Sequence, residues 1–288
     1  MGFLKQLLTI MKRNQLFIFV LSLLVFQLAF AQSDSSEKQK LKFKLGINYN
    51  SGLNYYGRTD SLKSTGVFPL AEVWLSKDVY MNAAPVFVNN AVQSMEYAGT
   101  VTSLGYLHVT DKWITNLYVL KPFYKQSSQL VQSALKAQTG ASFSRLNKVI
   151  NFTFGGDMKF SDKIDFGATA GLDHLIRKEL KNNSVLVIDP SFYAYAGTQN
   201  FTNTYYRKRP GNILFPGTTE QINESVTKFN ILAYEFSVPV VYARGKWMGL
   251  FTPSYILPQN LITVAGRPDI SESGENMFYA TLALKYTF

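Results

Sequence analysis

Residues 278–288, the last eleven of the chain, read FYATLALKYTF and alternate strictly in polarity. Phe278, Ala280, Leu282, Leu284, Tyr286 and Phe288 fall on one face of an extended chain, and Tyr279, Thr281, Ala283, Lys285 and Thr287 on the other. Successive side chains of a strand point to opposite sides, so this pattern specifies a strand with one apolar face and one wet face. Chain ends of soluble domains usually fray and are polar. A strand that ends on an aromatic ring implies an apolar environment for the outer face of the whole sheet.

The other end of the chain predicts how it reaches such an environment. Lys12 and Arg13 precede a mostly apolar run over residues 16–28, followed by Ala29-Phe30-Ala31. A basic region, an apolar region and a small-residue cleavage site make a secretory signal peptide over residues 1–31, cut before Gln32. The apolar run is shorter than the roughly 20 residues of a membrane-spanning helix. Met11, just before Lys12-Arg13, is the more ordinary start for such a signal. Removing residues 1–31 takes away Lys5, Lys12 and Arg13 and no acid, so the net charge falls from +10 to +7. The longest basic run, Arg207-Lys208-Arg209, suits anionic headgroups or a loop surface rather than nucleic acid. With no cysteine, disulfides, thiolate metal sites and a lipid-anchored cysteine are excluded.

Beyond the signal no segment is hydrophobic enough for a helical span, yet short alternating segments recur to the end. In lipid only helices and closed barrels satisfy their backbone hydrogen bonds. The chain is therefore expected to be all-β, a closed antiparallel transmembrane β-barrel over residues 42–288, after a short polar periplasmic lead over residues 32–41. Its 17 Tyr and 22 Phe against 3 Trp supply the rings that such barrels place at the membrane interfaces.

The first strand sets Phe43, Leu45, Ile47 and Tyr49 against Lys42, Lys44, Gly46 and Asn48. Four tight turns then punctuate the chain: Ser76-Lys77-Asp78, Thr110-Asp111-Lys112, Ser161-Asp162-Lys163 and Arg244-Gly245-Lys246. Read as one repeat, all on the periplasmic side, they contribute eight strands. The first and last strands and a pair over residues 185–197 and 200–208 bring the total to about twelve. A rival count makes residues 135–145 a strand and moves Ser161-Asp162-Lys163 to the opposite side; the shared turn chemistry favours the first count. Residues 128–138 carry Leu130, Ala134 and Ala137 at helical spacing, so this connection is either a short helix over the mouth or an irregular loop.

Catalytic constellations are sparse. Adjacent Asp173 and His174 point to opposite faces of a strand, with His174 on the lipid side. His108 lies beside a turn, too far along the chain to share a site, and no nucleophile-elbow or metal-ligand motif occurs. The inward faces are richer. Alternation places Asp157 and Lys159, Asp165 and Asp173, and Glu235 in the lumen, with Lys44, Lys121 and Lys285 as further lumen-lining residues. Alternation also places Leu232, Tyr234 and Phe236 outward. Such mixed charges either line a solute path or pair to plug the interior, and the sequence leaves both open.

The signal ending AFAQ, the SKD, TDK and SDK hairpins and the terminal ALKYTF together resemble small outer-membrane β-barrel proteins of Gram-negative bacteria, of the Bacteroidota type. That resemblance implies an outer-membrane location and outer-membrane lipid as a partner. It also implies recognition by the barrel-assembly machinery through Leu282, Leu284, Tyr286 and Phe288. It implies no catalytic residue, metal or cofactor. Three functions follow from it as expectations: a small-solute diffusion channel, a closed structural or partner-binding barrel of the envelope, and, third, a lipid-modifying enzyme.

Overall fold

Alternating segments throughout the described residues form strands, in which most outer faces are apolar and most inner faces carry polar, small or aromatic residues. The computed structural model describes residues 41–125, 128, 130–200, 228–263 and 271–288. The signal, the lead up to residue 40, the Arg207-Lys208-Arg209 triplet and nearly all of the strand expected over residues 200–208 lie outside the described residues. In chain order the strands are β1 (Lys42–Asn50), β2 (Asn54–Tyr55), β3 (Arg58–Thr59), β4 (Thr65–Trp74), β5 (Val79–Asn89) and β6 (Glu96–Val109). They continue with β7 (Trp113–Tyr124), β8 (Ala137–Arg145), β9 (Asn151–Phe160), β10 (Ile164–Asp173), β11 (Ile176–Leu180) and β12 (Ser184–Ile188). The last five are β13 (Ser191–Gly197), β14 (Asn230–Ser237), β15 (Val240–Arg244), β16 (Trp247–Pro258) and β17 (Met277–Thr287).

Three staves of the barrel are interrupted, β10 running into β11, β12 into β13 and β14 into β15. Two of the breaks carry Pro190 and Pro239, which lack the N–H that a continuous ladder needs. Counted this way, twelve antiparallel staves close on themselves where β17 pairs with both β16 and β1. The small β2–β3 hairpin stands apart from this sheet.

The twelve are not the set that the turn repeat favours. β8 pairs along its length with β7 and β9 and is a stave, as in the rival count. This reverses the direction of the middle of the barrel. Ser161-Asp162-Lys163 joins β9 to β10 at the end opposite the chain termini, whereas the other three turns lie at the terminal end. The strand is faint in sequence because its outer face, Ala137, Thr139, Ala141, Phe143 and Arg145, is only weakly apolar. Gly140 sits directly across from Tyr118, whose ring occupies the space a Cβ would need, and Tyr80–Gly105 and Tyr193–Gly171 repeat the arrangement. The turn chemistry itself carries no side information. Ser76, Thr110 and Ser161 each accept backbone N–H groups from residues two or three further on, at either end of the barrel.

The exterior is apolar over the height of the staves. Ile47, Phe154, Phe166, Leu282 and Leu284 are among many large hydrophobic side chains exposed there. Leu232 is a correction to the alternation. A register shift between β13 and β14 pairs Ala196 with Ile231 and Tyr195 with Ala233, so Leu232 is the extra residue of a bulge and turns inside, 2% exposed.

Candidate functional site

The lumen divides into two halves of different character. In the half nearer the termini, Lys44 on β1 and Glu72 on β4 are direct neighbours in register and form an ion pair of 2.9 Å. Trp74 Nε1 donates to Glu72 at 2.6 Å, and the Lys44 ammonium lies 4.7 Å from the Trp74 ring centre. These side chains point into the barrel, where Lys44 keeps 27% and Glu72 10% of its exposure. Lys285 joins them from β17, in register with Gly46 of β1. Glu72 escapes the sequence reading because its inward companions on β4, Phe68 and Leu70, are apolar and hide the phase.

Further along the wall the inward carboxylates are engaged. Lys159 donates to Asp157 at 2.6 Å, and Gln138 bridges Asp157 to the Tyr118 hydroxyl. Tyr279 donates its hydroxyl to Glu235 at 2.8 Å, and Asn151 Nδ2 donates to Asp173 at 2.6 Å. Asp165, 1% exposed, accepts from the backbone and side-chain amides of Asn200 at 2.9 and 3.0 Å. Asp157, Lys159, Asp165, Asp173 and Glu235 therefore all point inward, with Asp165 and Asp173 at opposite ends of β10. Lys121 does not. It shares the outer face of β7 with Val119 and Phe123, and its ammonium lies 5.4 Å from the Phe123 ring. A lysine near the end of a stave can lay its alkyl stem on the apolar wall and reach polar headgroups, so its charge is no guide to facing.

The opposite half is filled. The connection between β1 and β4 folds into the mouth, where Arg58 is 1% exposed. Arg58 Nε pairs with Glu272 at 3.0 Å. Its remaining donors reach the carbonyls of Tyr56, Leu232 and Gln259 and the side chain of Gln199, at 3.0–3.2 Å. One guanidinium thus ties the first connection to β14, to the end of β13 and to the connection before β17. On the other wall Leu53 packs with Val86, Val88, Ala98 and Leu130 in an apolar cluster. Leu130 precedes a single turn of 3-10 helix, Val131–Ala134, which packs on Tyr55. Burial, above all, pushes the Tyr55 and Tyr56 phenols up from their ordinary range, aided by the charge of Asp157. Both rings face Lys159, at 5.9 and 5.6 Å.

Neither histidine is part of a catalytic array. His174 is exposed at the terminal end, its Nδ1 against the Val149 carbonyl. The reversed middle of the barrel puts it there. His108 stacks on Tyr106 and lies 3.2 Å from Asp78. Among the described residues no three His, Asp or Glu side chains gather as a metal set.

No family model and no curated protein matches the chain. Solved structures similar to it include the KdgM porin, with a TM-score of 0.46 and 8% identity over 86% of this chain and 99% of that one. An outer membrane channel from Pseudomonas putida F1 gives 0.46 and 10% over 89% and 98%. LpxR from Salmonella typhimurium gives 0.44 and 10% over 85% and 100%.

Proposed function

We propose that the protein is an outer-membrane β-barrel of a Gram-negative, Bacteroidota-type envelope, exported by the signal over residues 1–31. Its lumen is a narrow diffusion path for small polar solutes, constricted at the outer mouth by the connection between β1 and β4. The apolar exterior supports the membrane setting, since a face of this kind is stable only against lipid. The contrast between the two halves of the lumen carries the channel reading. Lys44 keeps 27% of its side-chain exposure at one end, with Glu72 largely buried beside it, while Arg58 and Glu272 at the other have side chains only 1% and 2% exposed. A path that is more accessible on one side and latched by a single residue on the other suits restricted passage.

Planar-bilayer conductance of the purified protein and of Arg58→Ala tests this. Removing the guanidinium leaves Glu272 buried without its ion pair, a situation that costs about 3–5 kcal/mol when a buried pair is broken. The connection can relieve that cost by leaving the mouth for water. The expected result is a small single-channel conductance for the native protein and a larger one for the variant. Silence from both, with the barrel folded, would favour the second reading, a closed structural or partner-binding barrel, for which the apolar cluster around Leu53 is the supporting observation.

A further inference from the structure

Two hairpins at the terminal end present the same group of side chains on the outer face. In the first, Lys112 ends the turn, Trp113 opens β7, and Arg145 of β8 stands directly across from Trp113. In the second, Lys246 ends the turn, Trp247 opens β16, and Arg244 of β15 stands directly across from Trp247. Both Trp rings are exposed on the outside, at 47% and 52%, and the remaining tryptophan, Trp74, points into the lumen. The Arg145 guanidinium lies 4.8 Å from the centre of the Trp113 ring. In the second hairpin the ring of Tyr286 packs edge-on to Trp247 at 4.8 Å and carries the Lys246 ammonium at 5.8 Å.

None of these four cations has an ion-pair partner among the described residues. At the opposite end Lys63, Lys136 and Arg58 are each paired with an acid, Glu275, Asp162 and Glu272, whereas the exposed Lys125 and Lys163 have no carboxylate partner among the described residues. Around the terminal rim Lys42, Lys148, Lys178 and Lys181 are also exposed without a carboxylate partner among the described residues, while Lys77 and Arg177 pair with Asp78 and Glu179.

We infer that the two Lys-Trp hairpins, each with its facing arginine, are clamps for the headgroups of anionic phospholipids in the leaflet at the terminal end of the barrel. An indole ring settles at the boundary between acyl chains and headgroups, which fixes the depth of the site. At that depth a lysine and an arginine flank the ring, and a guanidinium offers a phosphate paired N–H donors in one plane. A phosphodiester carrying net negative charge meets both needs: its acyl chains lie on the apolar wall below the indole and its phosphate lies between the cations. The zwitterionic headgroup of phosphatidylcholine brings its own cation and gains less. Basic residues near an anionic surface strengthen attachment about five-fold each.

This inference rests on the membrane-spanning reading, and the experiment separates the two. Full-length mature protein is refolded into phosphatidylcholine vesicles, where the heat-modifiable folded band reports insertion. Detergent-solubilised folded protein is then titrated with phosphatidylglycerol and with phosphatidylcholine and followed by native mass spectrometry. The expected result is preferential retention of up to two phosphatidylglycerol molecules, reduced about five-fold at each clamp in Arg145→Gln/Arg244→Gln. Lys112→Gln/Lys246→Gln, confined to the turns, provides the same reading if the arginine pair disturbs folding. Insertion with equal retention of both lipids overturns the clamps, as does undiminished phosphatidylglycerol binding in folded variants. Displacement of the lipid by millimolar inorganic phosphate would show a site for free phosphate and overturn the lipid assignment. Failure to insert at all would overturn the membrane reading first.

Discussion

Facing is decided residue by residue, and β14 gives the sharpest test of it. Phe236 lies on the outer wall against Phe192, with ring centres 4.8 Å apart, while its neighbour Glu235 points inside and accepts from Tyr279. A cation on the lipid face costs about 2–4 kcal/mol at mid-bilayer and less near the interfaces. Phe236→Arg should therefore lower stability by that order in denaturant unfolding from vesicles. Glu235→Gln keeps an acceptor for Tyr279 and should change little. Glu235→Leu strands the phenol donor and should cost about 1–3 kcal/mol. A neutral Phe236→Arg beside a ruinous Glu235→Arg would mean a one-residue slip and invert every inward assignment on the strand. Lys121 and Leu232 show where facing departs from simple reading. The first is a charged side chain with a long apolar stem, and the second is displaced by a bulge that no period-two pattern announces.

Among the elements, the hairpin at Ser161-Asp162-Lys163 has the most consequence, because it sets the direction of the staves between β7 and β13. With β8 in the wall, single cysteines at Asp111 and Asp162 must lie at opposite ends of the barrel. An impermeant thiol reagent on intact cells should label the cysteine at Asp162 and leave those at Lys77, Asp111 and Gly245 unlabelled. Protection at Asp162 equal to that at Asp111 would restore the four-fold turn repeat and remove β8 from the wall. The hairpin of β11 and β12 is informative in another way. β11 pairs only with β12, so its other edge has no strand beside it among the described residues. Arg177, Lys178 and Glu179 on that strand are the kind of charged side chains that discourage further pairing.

At the level of the whole molecule, everything depends on the seam between β17 and β1. Phe288 donates its backbone N–H to Phe43 at 2.9 Å and packs its ring against those of Phe43 and Tyr286 at 5.5 and 4.9 Å. Phe288→Asp puts a charge on the outer side of that seam and should abolish the heat-modifiable folded band. Lys285→Ala, on the inner face, should preserve it. Equal loss in both would show that assembly does not read the outer face of the closing strand. The alternation over residues 278–288 and the opening strand from Lys42 were legible in the sequence, because period-two patterning acts within a few residues; the total of about twelve staves agreed although β8 was not in the favoured set. The direction of the middle staves was not legible, since turns with the same chemistry close hairpins at both ends and β8 has only a weak apolar face. The filled mouth was hidden for a different reason. Arg58 finds Glu272 across 214 residues of chain and Gln199 across 141, and such partners meet only after the sheet has curled and closed. The sequence by itself determined which face of most strands meets lipid, whereas closure of the barrel decided which charges share the lumen and which loop stops its mouth.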